Sequence, residues 1–299
     1  ITRVNNTTTA WVLNASGQIV VGGVTYTDVP AIAGGPGADT LTGPALTSGI
    51  SSWTIDSLGG GTLAIPTKSL TFSSMNNLTG GTGPDAFEIL PTGSLSGNLN
   101  AGTGTGFNSL SYSQWTTGVS VNLSVATAAN ATAISGILSN LQMVTGGLGN
   151  DTLIGQATKS TILIGLDGND TLTGGSQRDL LLGGVGIDTL TGAAGDDLLV
   201  SGTTSYDRNR EALIAINSEW ISTRSFALRT ANIWGNGTGT RSNGEFRLNS
   251  NSSDSITDTV FADTDVDSLT GGLNQDWFFA SLDDSTDLTG GSLPDRLDR

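Results

Sequence analysis

Residues 146–202 read GGLGNDTLI, GQATKSTILI, GLDGNDTLT, GGSQRDLLL, GGVGIDTLT, GAAGDDLLV and SG. One nine-residue sentence recurs, with glycine favoured at its first, second and fourth positions, aspartate at the sixth and leucine at the eighth. The aspartates fall at Asp151, Asp170, Asp179, Asp188 and Asp197, and Leu153, Leu172, Leu181, Leu190 and Leu199 follow each by two residues. Glycine at the first, second and fourth positions is expected to take positive φ, so that the loop curls and aims successive carbonyl oxygens at one point. The aspartate adds a carboxylate to them. Two stacked loops would offer a hard divalent cation the roughly 6–8 oxygens it takes, in an irregular geometry that suits calcium better than magnesium. The three residues after each aspartate read as a short strand with its leucine turned inward. One aspartate beside one glycine is ordinary turn chemistry, whereas five copies in one register are hard to obtain from composition.

This register resembles the RTX, or hemolysin-type, calcium-binding nonapeptide repeat. The resemblance implies a calcium β-roll in which two sentences make one turn of a flattened solenoid, so that loops alternate between its two edges. Asp151, Asp170 and Asp188 then share one edge, Asp179 and Asp197 the other, and about three inter-loop calcium ions are expected within 146–202. The metal-holding residues expected are Gly147, Gly149, Asp151, Gly168, Asp170, Gly175, Asp179, Gly184, Gly186, Asp188, Gly195 and Asp197. The ten-residue copy from Gly155 to Ile164 offers Ser160 or Thr161 where aspartate is due, which predicts a gap in the second row. Asn150, Asp167, Asn169 and Asp196 read mainly as turn formers. Fourteen glycines lie in this stretch. Their extra freedom in the unfolded chain, up to about 0.5–1 kcal/mol each, rivals the roughly 5–15 kcal/mol that holds a domain folded; without metal the run is expected barely to hold.

Composition bounds the rest. The chain has 299 residues, 43 glycines, no cysteine and no histidine. Turns and short strands are favoured over helices, disulfides are excluded, and neither a thiolate–imidazole zinc site nor a Ser-His-Asp or Cys-His catalytic group can be assembled. A net charge of −15 disfavours nucleic acid and anionic membrane as partners and suits a surface whose carboxylates await cations. No apolar run is long enough to span a bilayer. Calcium at the roughly 0.1–1 mM that weak extracellular modules need is found outside cells, so an extracellular or bacterial cell-surface location is inferred. Ile1, with no initiator methionine and no basic-then-apolar leader, leads to the expectation of a processed chain or a piece of a longer one.

The N-terminal half carries a longer internal repeat. Tyr26, Val29, Ile32, Gly34, Asp39 and Leu41 share their spacing with Phe72, Met75, Leu78, Gly80, Asp85 and Phe87, and with Leu138, Leu141, Val144, Gly146, Asp151 and Leu153. Trp53 and Ile55 precede Gly80 as Val119 and Val121 precede Gly146; in the first copy Trp11 and Leu13 stand four residues closer. Each copy reads as strands, a tight step and a glycine–aspartate loop, a unit that must stack on a neighbour. Leu95, Leu99, Leu110 and Tyr112 would supply rungs between the second and third copies, and Met75 and the tryptophans belong in the core. Asp39 and Asp85 stand alone, so each is as readily a turn as a calcium ligand, and Asn108 in the equivalent place lacks the charge.

Past Gly202 the pattern changes: eight of the 12 Lys and Arg residues lie there. Asp207 to Ile221 reads as a helix with Asp207 as N-cap and with Leu213, Ile216 and Trp220 on one face, which Asn217 interrupts. A second helix from Arg224 to Trp234 stops at Gly235. The pair is expected to cover the last open rung of the solenoid. After an acidic run, Asp254 to Asp267, two worn sentences follow, GGLNQDWFF and GGSLPDRLD; they keep Asp276 and Asp295 but lose the fourth-position glycine, which leaves their calcium binding open. The ending, Glu219-Trp220 followed by Leu269-Thr270-Gly271-Gly272 and Asp276-Trp277-Phe278-Phe279, resembles the C-terminal region of large bacterial surface proteins bearing such repeats, and implies that the natural protein ends here.

The expected fold is all-β: a parallel β-solenoid, a β-helix leading into a calcium β-roll, with a small helical insert or cap near the C-terminus. Its expected segments are 1–145, with three related units, the β-roll 146–202, and a C-terminal cap 203–299. The expected function is that of a non-catalytic calcium-binding structural module serving adhesion, a surface coat or a fibre. The alternative is an accessory tail for secretion and folding of an upstream enzyme. A β-helical polysaccharide lyase using calcium and Arg178 is the least favoured reading. Nothing before Trp11 reads as a cap, so self-association or continuation of a longer solenoid through the N-terminal end is expected; surface glycans stay open as partners.

Overall fold

Strands of two to seven residues, in most of which alternate side chains are buried, make up nearly all the regular structure in the computed structural model, which describes residues 1–2, 7–104, 106–250, 258–288 and 295–298. The chain folds into two compact units: residues 1–115 with 125–143, and residues 116–124 with 144–299. Only two helices are present among the described residues, and no helix is long and apolar enough to cross a membrane.

In the first unit, one row stacks Ala10–Leu13, Thr40–Thr42, Asn77–Thr79, Leu99–Asn100 and Leu138–Ser139 in parallel. Trp11, Leu41, Leu78, Leu99 and Leu138 lie over one another in it and are buried. A second row stacks Ser51–Ser57, Asp85–Ile89 and Ser109–Ser111, with Trp53, Phe87 and Leu110 in register. The first two copies of the long repeat place equivalent residues in different rows. Ile32 lies in a strand paired with Phe72, whereas Leu78, its counterpart in the repeat, lies over Leu41. Met75 is buried, as are Trp11, Trp53, Trp220 and Trp277.

The expected bare rung at Trp11 is corrected. The outer side of Ala10–Leu13 is taken by Ile19–Val21, antiparallel, and that strand in turn by Val24–Tyr26. A hairpin supplied by the chain just after the rung closes it; the edge left over is Val24–Tyr26, three residues long and exposed throughout. Very short edge strands are one way natural sheets avoid pairing with other chains.

The second unit has two parallel rows. Val121, Leu153, Leu172, Leu190 and Leu269 are in register in one. Leu163, Leu181, Leu199, Phe278 and Leu297 are in register in the other. The strand after Thr189–Ala194 is therefore Ser268–Leu273, and the strand after Leu198–Val200 is Trp277–Phe279. The helix pair does not cover a last rung: it belongs to an excursion between successive turns. Its neck is a two-stranded antiparallel ladder, Thr203 opposite Phe261 and Thr204 opposite Val260.

Helix α1 spans Arg210–Trp220, and its N-cap is Asn209, whose side chain accepts from the Ala212 N–H at 3.1 Å. Asp207 is not the cap, because it accepts from the Thr204 N–H at 2.9 Å and the Thr204 hydroxyl at 2.5 Å and so ties the neck instead. Leu213, Ile216 and Trp220 are buried as expected. Asn217 does not break that face; it is fully buried and bonds Ser160 Oγ at 3.2 Å. Helix α2 spans Phe226–Trp234, starts on Ser225 and stops at Gly235, whose φ of 104° is the left-handed conformation glycine takes readily.

Candidate metal centre

The aspartates of the second unit form two hydrogen-bonded ladders. On the first edge, Oδ1 of Asp151 accepts from the Val119 N–H, Asp170 from the Asp151 N–H, and Asp188 from the Asp170 N–H, at 2.7–2.8 Å. The ladder continues past the excursion to Asp267 and Asp284, at 2.7 and 3.0 Å. On the second edge, Asp179 accepts from the Thr161 N–H, Asp197 from Asp179, Asp276 from Asp197 and Asp295 from Asp276, at 2.6–3.0 Å. Asp151, Asp170 and Asp188 thus share one edge and Asp179 and Asp197 the other. Thr161, not Ser160, stands in the uncharged place of the ten-residue copy, and its hydroxyl accepts from the Gln156 N–H at 3.0 Å.

The second carboxylate oxygen divides these residues into two kinds. In Asp151 and Asp179, Oδ2 accepts from the second-position N–H of its own loop, Gly147 at 2.6 Å and Gly175 at 2.5 Å. In Asp170, Asp188, Asp197, Asp267 and Asp276, Oδ2 is buried without a hydrogen-bond partner. Such an atom costs about 1–3 kcal/mol or more when charged. Five of them in one unit amount to the whole stability of an ordinary domain, roughly 5–15 kcal/mol. Burial raises the carboxyl groups of Asp170, Asp267 and Asp276 to about 7, Asp188 to about 8 and Asp197 to about 9, and the neighbouring carboxylates on the ladder push in the same direction. Asp179 reaches about 7 through burial. In Asp151 burial also raises the value, against hydrogen bonds from Val119 and Gly147 that lower it.

The loop backbone follows the same division. The second position has positive φ at Leu166, Gly184, Ala193 and Gly272, the loops that contain Asp170, Asp188, Asp197 and Asp276. It does not at Gly147 and Gly175, where the N–H turns in to the carboxylate. At the fourth position Gly168, Gly186, Gly195 and Asn274 have positive φ, whereas Gly149 does not. The first-position glycines take no such conformation; the expectation that they would is corrected, because what they supply is room. A methyl group on Gly165 would collide with Oδ2 of Asp170 and lie 2.5 Å from the Gly183 carbonyl oxygen, and one on Gly183 would collide with Oδ2 of Asp188. Carbonyl oxygens also crowd the second- and fourth-position glycines: Leu166 O faces Gly184, Gly168 O faces Gly186, and Ala193 O faces Gly272.

These orphaned oxygens fit a hard cation. Among the described residues no cluster of three or more His, Cys, Asp or Glu side chains is placed to hold a metal ion, so backbone carbonyls would complete the oxygen set, as calcium accepts. Asn150 and Asn169 accept along the outside of the first edge, from the Asn169 N–H at 2.9 Å and the Ile187 N–H at 3.0 Å, as turn formers do. A family model described as the RTX calcium-binding nonapeptide repeat, in four copies, matches residues 143–158, 160–190, 173–203 and 253–286. Residues 143–286 carry RTX calcium-binding repeats. The RTX repeat is a calcium-binding structural repeat, not a catalytic family, and it occurs in secreted bacterial proteins. No curated protein matches the chain.

Sequence reasoning missed Asp267, lost in the acidic run, because its loop lacks the glycines. The signal was present: Asp267-Ser-Leu-Thr-Gly271 repeats Asp188-Thr-Leu-Thr-Gly192. Asp276, whose fourth-position glycine is replaced by Asn274, keeps the loop conformation because asparagine also tolerates positive φ. Asp254 and the glycines of the final sentence, Gly290 and Gly291, lie outside the described residues; Asp295 joins the second ladder. Asp39 and Asp85 are closed. Asp39 accepts from Thr9 and Gly35, and Asp85 from Gly81 and the Trp53 indole.

Proposed function

We propose that this chain is a non-catalytic, calcium-binding structural module of a secreted or surface-exposed bacterial protein, in which calcium stiffens a β-solenoid used for adhesion, a surface coat or a fibre. The observation that carries this reading is the set of five stacked carboxylates with a buried, unpartnered Oδ2. Each is a cost in the absence of a cation and a ligand in its presence, so metal binding and folding become one equilibrium. Within 146–202 the ions would be held by Asp170, Asp188 and Asp197, three in number, with the carbonyls of Gly149, Gly168, Gly184, Gly186 and Gly195 on hand. Asp151 and Asp179 would join once Gly147 and Gly175 release them. Two further ions would sit at Asp267 and Asp276, so the calcium segment resumes beyond the excursion instead of stopping at 202.

An extracellular setting is supported by the company this repeat keeps and by the calcium it needs. Growth by self-association or continuation through the N-terminal end would use short edges, Val24–Tyr26 in one row or the chain beside Ala31–Ala33 in the other. Calorimetric titration, paired with circular dichroism in chelator, tests the reading. Several ions bound with a gain of strand signal is expected; unchanged strand content and melting after chelation would overturn it.

A further inference from the structure

The helix pair of the excursion is fastened to the second edge, and its polar contacts there run through one column of residues. On the second edge, the residue immediately before each ladder residue is Ser160, Arg178, Asp196 and Gln275 in turn. Ser160 bonds the buried Asn217 of α1. Arg178 donates to the Ser222 carbonyl at 2.9 Å, beyond the end of α1. Asp196 receives the buried Arg229 of α2, Arg178 Nε at 3.2 Å and the Gln275 N–H at 3.3 Å. The Arg229 guanidinium also donates to the Trp220 carbonyl at 2.8 Å and lies 4.7 Å from the Trp220 ring. Packing adds to this: Trp220 meets Trp277, and Trp234 stacks on Phe279, both from the strand just after Asp276. The first edge meets the returning chain of the excursion instead, the Gly186 N–H donating to Asp263 at 3.1 Å. Its corresponding column is Asn150, Asn169, Ile187 and Val266, and Ile187 and Val266 are more than half exposed.

We infer that docking of the helix pair α1–α2 depends on calcium at the second edge, and not on calcium at the first. The inference rests on the calcium-binding role proposed for the ladders. Burying Arg229 is favourable only while Asp196 stands opposite it, because an unpaired buried cation has lost its hydration with nothing in return. Asp196 is positioned by a loop that holds two positive-φ residues, Ala193 and Gly195, and ends on Asp197, whose Oδ2 is unpartnered. A left-handed alanine is strained and persists only where its surroundings over-determine it. Metal at Asp197 and Asp276 supplies that determination. Removing it frees the loop, withdraws the partner of Arg229 and releases the helices together with Trp220.

Hydrogen–deuterium exchange of the full chain, followed by mass spectrometry, tests this with calcium and with chelator. Chelation is expected to raise exchange in 210–234 along with loops 192–197 and 271–276. In saturating calcium, Asp197→Asn should raise exchange in 210–234, whereas Asp188→Asn should loosen 183–188 and leave the helices protected. Arg229→Met should release the helices while loops 192–197 and 271–276 stay calcium-protected, showing which group transmits the signal. Helices that stay protected in chelator while those loops exchange would overturn this inference alone. Loops that ignore calcium would overturn both it and the calcium-binding role.

Discussion

The same glycine–aspartate loop occurs in both units and does different work in each. In the first unit every aspartate of this kind meets an amide: the Asp39 N–H donates to Asn76 Oδ1 at 2.8 Å and the Asp85 N–H to Asn108 Oδ1 at 2.9 Å. Both oxygens of Asp39 and Asp85 are filled by N–H donors. In the second unit aspartate stands on aspartate for several turns, and in the interior of each stack one oxygen stays unfilled. Asparagine brings no charge, so a mixed stack is complete in itself. A column of carboxylates is not: its interior members keep a buried oxygen that a cation or a proton has to fill.

The largest effect expected from this contrast is that of chelation. In the full chain, hydrogen exchange should rise throughout loops 165–170, 183–188, 192–197 and 271–276, while loops 34–39 and 80–85 keep their protection. Equal loss in both units would erase the distinction.

The next effect is that of pH on the calcium-free protein. An ordinary aspartate titrates near 3.8, whereas Asp170, Asp188, Asp197, Asp267 and Asp276 are raised to about 7–9 by burial and by neighbouring carboxylates. Between those limits the folded state holds protons that the unfolded state has lost, so unfolding free energy falls as pH rises. These groups impose no penalty below about pH 4, an increasing one up to about pH 9, and a constant one above. Thermal melts of the second unit in chelator should therefore fall across that window, and saturating calcium, which takes the protons' place, should remove the fall. A chelated protein that gains stability on going from pH 5 to 8 would contradict the burial of these carboxylates.

A smaller effect separates single residues. Asp170 lies between Asp151 and Asp188, so Asp170→Ala should lower calcium stoichiometry in a calorimetric titration. Asp39→Ala should leave stoichiometry unchanged and cost about 1–3 kcal/mol in denaturant melts, since it strands the N–H groups of Thr9 and Gly35. Equal loss of bound calcium would make the two loops alike after all. The smallest effect belongs to Asn169→Ala on the exposed outside of the first edge. It should cost no more than about 0.5–1.5 kcal/mol, one ordinary hydrogen bond, with calcium binding intact; a lost ion there would make Asn169 a ligand and not a turn former.

The period of nine, the inward leucines, the assignment of aspartates to edges and an uncharged break at Ser160 or Thr161 were all legible in the chain, because each depends on local spacing and strand alternation. The α2 stop at Gly235 was legible for the same reason. Three matters needed the tertiary structure. The hairpin that covers Trp11 comes after that residue in the chain, so looking upstream for a cap could not find it. The resumption of both ladders at Asp267 and Asp276 is a contact between positions 79 residues apart, and an excursion of any length leaves the register of the next strands unspecified by local pattern. Which carboxylates are filled and which are orphaned is the third. Asp151 and Asp170 sit in nearly the same words, GGLGND and GLDGND, yet one has its loop N–H and the other does not. That difference is set by the loops stacked above and below each aspartate, a property of neighbours that no single sentence of the sequence contains.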